Sequence, residues 1–105
     1  MLHKLKNLFS GKTDHTLSQI INEGAFLVDV RSPSEFASGN VKGSVNIPLD
    51  QIHKQLAKFK DKKNTVVFCR SGMRSSQAKA ILEQNGMTNI INGGTWKRVE
   101  SFLTN

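Results

Sequence analysis

The sequence predicts an α/β fold in which a mainly parallel sheet is covered by helices on both faces. Two observations carry this reading. Four short apolar runs, AFLVDV (25–30), GSVNIP (43–48), TVVF (65–68) and TNII (88–91), read as strands. Between each run and the next lies a segment with helical spacing and a helix start or stop signal, and strands that alternate with helices wind into a parallel sheet. The 105 residues suit one domain, long enough for a core of modest size.

Each element has a local reason. Thr16 with Gln19 fits a capping box, Leu17, Ile20 and Ile21 share a helical face, and Gly24 fits the helix stop. AFLVDV follows as a buried strand ending near Asp29 and Val30. In SPSEFASG (32–39), Ser32 can cap, Pro33 suits the first helical position, Glu35 stands at the box position and Gly39 ends a short helix. Pro48 stops the second strand. Asp50 can cap a helix that buries Ile52, Leu56 and Phe59, and KDKKN (60–64) is a polar turn. The third strand leads into Cys69. Ala78, Ile81 and Leu82 then form a helical stripe closed by Gly86. After the fourth strand, NGG (92–94) reads as a turn, and Thr95 can cap a last helix presenting Trp96, Val99, Phe102 and Leu103.

Composition narrows the classes of function. Hydrophobic residues make up 37% of the chain and no Pro-rich or repetitive tract occurs, so it reads as folded. One cysteine cannot form an internal disulfide, and a reducing compartment, the cytoplasm, is the expected location. No stretch approaches the length of a membrane span. Formal net charge is +7, from 15 Lys and Arg against 8 Asp and Glu. Many lysines fall in one run, Lys54, Lys58, Lys60, Lys62 and Lys63, read here as a solvated face. With 7% aromatics, no tyrosine and no aromatic–basic interleaving, nucleic acid is not an expected partner. Attraction of small anions fits the same charge. The domain is drawn at residues 13–105, after a basic segment at residues 1–12 that carries Leu2, Leu5, Leu8 and Phe9. Lys4 and Lys6 interrupt that segment, so it is not a signal peptide. It is read as a helix packed on its own domain or a frayed tail, in preference to a short amphipathic helix touching a lipid surface or another protein.

The chemistry concentrates after the third strand, in CRSGMRS (69–75). A lone cysteine is most often a small core hydrophobe, and Val66, Val67 and Phe68 fit that. It leaves unexplained why Arg70, Gly72 and Arg74 follow at once. Gly72 allows a tight turn, and the small Ser71 and Ser75 let the loop curl with its N–H groups inward, as an anion nest. The next helix aims its N-terminus at the same place, and Arg70 and Arg74 add permanent charge. A thiol so placed favours its thiolate. Arg74 in the first turn of a helix is unfavourable by the dipole argument, which points to a bound anion as compensation. His3, His15 and His53 lack ligand spacing, so neither a metal nor another cofactor is expected. No base stands near Cys69, and a nucleophile activated by its electrostatic setting needs none. Asp29 is read as ordering the DVR turn with Arg31 or nearby backbone rather than as an acid.

LVDVRSPSEF, GNVKGSVNIP, VVFCRSGMRSSQAKAIL and INGGTW, in this order, resemble single-domain rhodanese-like proteins, over roughly residues 15–103. The resemblance implies a sheet of about five short strands, the fifth near His15 and Thr16. It implies that Cys69 takes a sulfane sulfur from a thiosulfate-like donor, holds it as a persulfide and yields it to a thiol, cyanide or protein acceptor. Arg70, Ser71, Gly72, Met73, Arg74 and Ser75 would line the pocket. The alternatives are a sulfur-carrier or binding module loaded by a partner protein, and a Cys-based phosphatase or arsenate reductase. In those last families five residues separate Cys from Arg; here four separate Cys69 from Arg74. Two positions depart from the family: Asn40 stands where histidine is usual, and Arg98 where tryptophan is usual, with Trp96 close by.

Overall fold

A computed structural model describes residues 15–103; the basic segment at residues 1–12 lies outside the described residues. A helix over residues 15–22 (α1) is followed by β1 (Phe26–Asp29), α2 (Pro33–Ser38) and β2 (Val45–Asn46). A 3-10 segment, Leu49–Phe59, leads to β3 (Thr65–Cys69), α3 (Met73–Gln84), β4 (Ile90–Thr95) and α4 (Trp96–Ser101). Among the described residues the four strands form one sheet in the order β2-β1-β3-β4, with every pair parallel.

Strand alternation divides the core into two layers. Val28, Val30, Val67 and Cys69 face the 3-10 segment and α3, where they meet Ile47, Ile52, Phe59, Ala78 and Leu82. Leu27, Val66 and Phe68 face the other way, against Leu17, Ile21, Val41 and Val99. The strands are therefore apolar on both sides, as a sheet covered by helices requires.

Several elements form as their residues dictate. Ser32 and Glu35 close a full capping box at the start of α2, with Glu35 N donating to Ser32 Oγ and Ser32 N donating to Glu35 Oε1. Thr95 Oγ1 accepts from Arg98 N and caps α4. Asp29 and Arg31 are both buried, the first at 0% and the second at 4% exposure. Arg31 N and Nε donate to the Asp29 carboxylate at 2.9–3.0 Å, and Nη2 lies 2.7 Å from Oδ2. The same guanidinium donates to Gly39 O and sits 4.5 Å over the Trp96 ring. One pair thus ties β1 to the end of α2 and the start of α4.

Several expectations need correction. His15 and Thr16 are not a fifth strand; they begin α1, whose Leu17 and Ile21 are buried, and the 3.6-residue spacing of those apolar residues prevails, which puts Thr16 inside the helix rather than at its cap. Asp50 does not cap a helix. The turn begins at Pro48, whose carbonyl accepts from Gln51 N, and Leu49 N still bonds back to Val30 O, so Asp50 falls inside the first turn. The segment is 3-10 rather than α, with non-helical backbone at Gln55. NGG is not a turn but part of β4, and it carries a bulge: Val67 pairs with Asn92 and Phe68 with Gly94, which leaves Gly93 as the extra residue. A Cβ on Gly93 would lie 2.8 Å from both Val66 Cγ1 and Val99 Cγ2, so glycine lets α4 and β3 close over the bulge. Gly93→Ala is expected to cost about 1–3 kcal/mol through overpacking, read as a lower denaturant midpoint with unchanged slope.

Candidate active site

β3 delivers Cys69 to the carboxyl end of the sheet, where open α/β sheets place their sites. The chain must then leave the sheet and start α3 within Arg70, Ser71 and Gly72. Gly72 makes that possible: its φ of 95° lies in the left-handed region that side chains disfavour. The turn points the Gly72 N–H back at Cys69 Sγ, 3.0 Å away. Ser75, buried in the first turn of α3, brings its hydroxyl to 3.5 Å from the sulfur. Burial pushes the Cys69 thiol up, but hydrogen bonds from the Ser75 hydroxyl and from the N–H groups of Ser75, Ser71 and Gly72 outweigh it and hold the thiol below its ordinary value.

Arg74 has its compensating anion within the protein. Its Nη1 and Nη2 lie 2.7 and 3.0 Å from the two Glu35 oxygens, a bidentate pair between α3 and α2. The guanidinium, followed by the Ser32 N–H, holds the Glu35 carboxyl at about 2 instead of 4.5, and Glu35 in turn raises Arg74. The remaining loop residues form the outer surface: Arg70 and Ser71 are exposed, and Met73 is 73% exposed.

Two contributors were not read from the sequence. Glu35 reads from the sequence only as a cap residue. In a parallel sheet, however, the N-termini of α2 and α3 both follow strand ends on the same edge, and that topology brings the third residue of α2 to the first turn of α3. The other is Asn92, an amide in β4 beside β3. It braces the loop from the bulge: Nδ2 donates to Gly72 O at 3.2 Å, and Oδ1 accepts from Gly94 N at 2.9 Å and Ser75 Oγ at 2.7 Å. The departures at Asn40 and Arg98 both donate to backbone carbonyls: Asn40 Nδ2 to Phe36 O at the end of α2, and Arg98 Nη1 to Gly93 O. Asp29 orders the DVR turn through Arg31, as the sequence suggested.

The family model for the rhodanese-like domain matches residues 13–96. The chain is 39% identical over 74 residues to thiosulfate sulfurtransferase PspE of Escherichia coli K12, a match spanning 69% of this chain and 71% of that protein. It is 36% identical over 80 residues to a sulfurtransferase of Allochromatium vinosum, spanning 72% of this chain and 75% of that one. Among solved structures, the human single-domain sulfurtransferase TSTD1 superposes with a TM-score of 0.68 at 28% identity, over 86% of this chain and 92% of that chain. With a loop that turns its backbone N–H groups onto a lone thiol at the carboxyl end of a parallel sheet, the chain belongs to the rhodanese-like domain family.

Proposed function

We propose that the protein is a sulfurtransferase that moves a sulfane sulfur from a thiosulfate-like donor to a thiophilic acceptor through a persulfide on Cys69. The observation that carries this reading is the 3.0 Å contact from Gly72 N–H to Sγ at the foot of a loop with four residues between Cys69 and Arg74. The Cys69 thiolate attacks the outer sulfur of the donor. The bond from that sulfur to the sulfite group breaks, sulfite leaves with the electron pair, and a persulfide anion remains. An acceptor thiolate or cyanide then attacks the terminal sulfur and returns Cys69 as thiolate. The inward N–H groups stabilise negative charge at both stages, in the manner of a preorganised oxyanion site.

Residues Arg70, Ser71, Gly72, Met73, Arg74 and Ser75 line the proposed pocket. The exposed Arg70 is the cation that first meets an anionic donor. Arg74 acts from behind the loop, with Glu35 sharing its charge. Cys69 itself is buried, and the exposed Arg70–Ser71 stretch that follows it is the face on which the donor would arrive. A second reading, a sulfur carrier loaded by a partner protein, draws on the exposed Met73 beside the loop, an apolar contact for a protein surface rather than for a small anion. The residues 1–12 and the lysine run would be its further docking surfaces.

In a thiosulfate-to-cyanide assay, Cys69→Ser is expected to abolish transfer while its circular dichroism matches wild type; full activity in that variant would end the reading. Arg74→Ala breaks the bidentate pair with Glu35 at the first turn of α3 and is expected to weaken donor use by at most about 3 kcal/mol, and unchanged donor kinetics would make Arg74 purely structural. Slow turnover with thiosulfate beside rapid loading from a persulfide-bearing protein would favour the carrier.

The Glu35–Arg74 pair also gives a pH dependence. The Glu35 pKa is lower folded than its ordinary value of 4.5, so its contribution is complete above that value and is lost as pH falls toward about 2. Both side chains are about a third exposed, at 30% and 36%, which limits the contribution to about 1 kcal/mol. Glu35→Gln keeps the capping box and removes the charge. The stability difference between wild type and Glu35→Gln, measured by denaturant titration, is expected to shrink over that acid window.

A further inference from the structure

The Ser75 hydroxyl has one proton and three acceptors within reach. Asn92 Oδ1 is at 2.7 Å, Gly72 O at 3.1 Å and Cys69 Sγ at 3.5 Å. The neighbours of Asn92 fix which way its amide faces. Gly94 N–H, which can only donate, is 2.9 Å from Oδ1, and Gly72 O, which can only accept, is 3.2 Å from Nδ2. An amide oxygen 2.7 Å from a hydroxyl oxygen cannot donate, so it takes the hydroxyl proton. With Cys69 as a thiol, the Ser75 proton therefore rests on Asn92, and a Ser75 lone pair faces Sγ, where it can accept the S–H.

Ionisation changes what Ser75 must do. The S–H proton leaves to solvent, and the same lone pair then faces a thiolate, so the hydroxyl turns its own proton toward the sulfur. Asn92 Oδ1 still holds the Gly94 N–H and is not left bare. Gly72 O already accepts from Ser76 N and competes for the hydroxyl at the longer distance of 3.1 Å. We propose that Asn92 is a positioning residue that competes with Cys69 for the single proton of Ser75, and so tunes how readily the nucleophile is released as thiolate. The proposal rests on the reading of Cys69 as that nucleophile. The charges that face the site are Arg70 of the loop, Arg74 of α3 with Glu35 of α2, the Asp29–Arg31 pair of β1, and Arg98 of α4 on the Gly93 carbonyl. None of them changes when Asn92 or Ser75 is replaced by a neutral residue.

The test is the pH dependence of iodoacetamide alkylation of the full chain, in which Cys69 is the only thiol. Asn92→Ala is expected to lower the alkylation midpoint by roughly half a pH unit to one unit, on the scale of one released hydrogen bond. Ser75→Ala is expected to raise it, and in that background Asn92→Ala is expected to leave it unmoved. A residue that only braces the loop would give the opposite: Asn92→Ala would loosen the N–H cradle, and the midpoint would rise or stay, which overturns the proposal. If circular dichroism shows that Asn92→Ala does not fold, Asn92→Leu fills the space without either amide group and carries the same expected downward shift. The expected midpoints in a protein that thiosulfate does not modify would support the proton competition and count against the donor reading alone.

Discussion

The hydrogen bond from Gly72 N–H to Cys69 Sγ is the contact on which the rest of the site depends. It exists only because the chain turns through a left-handed residue immediately before α3, and the neighbouring structure keeps that turn in place. β4 bulges at Gly93 so that Asn92 can reach the Gly72 carbonyl. Ser75 fills the space under the loop, and its hydroxyl also bonds to Gly72 O. On the far side, α2 reaches across to α3 through Glu35 and Arg74. α2 is itself set by the buried Asp29–Arg31 pair, through the Arg31 bond to Gly39 O. Breaking a buried pair of that kind costs about 3–5 kcal/mol, more than any single contact in the loop.

Magnitudes decide what holds the thiolate. Two arginines in the loop suggest cationic stabilisation, but Arg74 spends its fork on a carboxylate and presents the sulfur with a largely neutralised pair. A hydrogen bond to a charged group contributes about 1.5–3 kcal/mol, and the Gly72, Ser71 and Ser75 N–H groups and the Ser75 hydroxyl all favour the ionised sulfur. Their sum exceeds the burial penalty. The site is therefore built from the Ser75 hydroxyl and from backbone dipoles held in a tight turn, and the dipoles need no reorganisation when charge appears on sulfur.

Much of this was legible in the sequence, and the exceptions have physical causes. The strand runs, the capping box at Ser32 and Glu35, the Cys69 loop and the Asp29–Arg31 turn are set by residues close in sequence, where spacing carries the information. The role of NGG was not legible, because two glycines signal a turn equally well as a close approach. Only the packing of Val66 and Val99 against Gly93 decides for the bulge. The partner of Arg74 was missed because Glu35 lies 39 residues away and already had a local task in its cap. Asn92 was missed because it acts through a neighbouring strand, and one polar residue in a strand does not announce which loop it holds. The 3-10 character of Leu49–Phe59 and its break at Gln55 were not legible, because the spacing of Ile52, Leu56 and Phe59 marks a helix without distinguishing 3-10 from α.

The central claim is that the loop makes Cys69 a nucleophile that carries sulfur. Intact-protein mass spectrometry after incubation with thiosulfate and no reductant, with Cys69→Ser in parallel, tests it most directly. The account predicts a gain of one sulfur atom in the wild-type protein, absent from the variant and removed by cyanide. An unchanged mass in a protein whose thiol still alkylates at low pH would contradict it, leaving a reactive cysteine that does not accept sulfur from this donor.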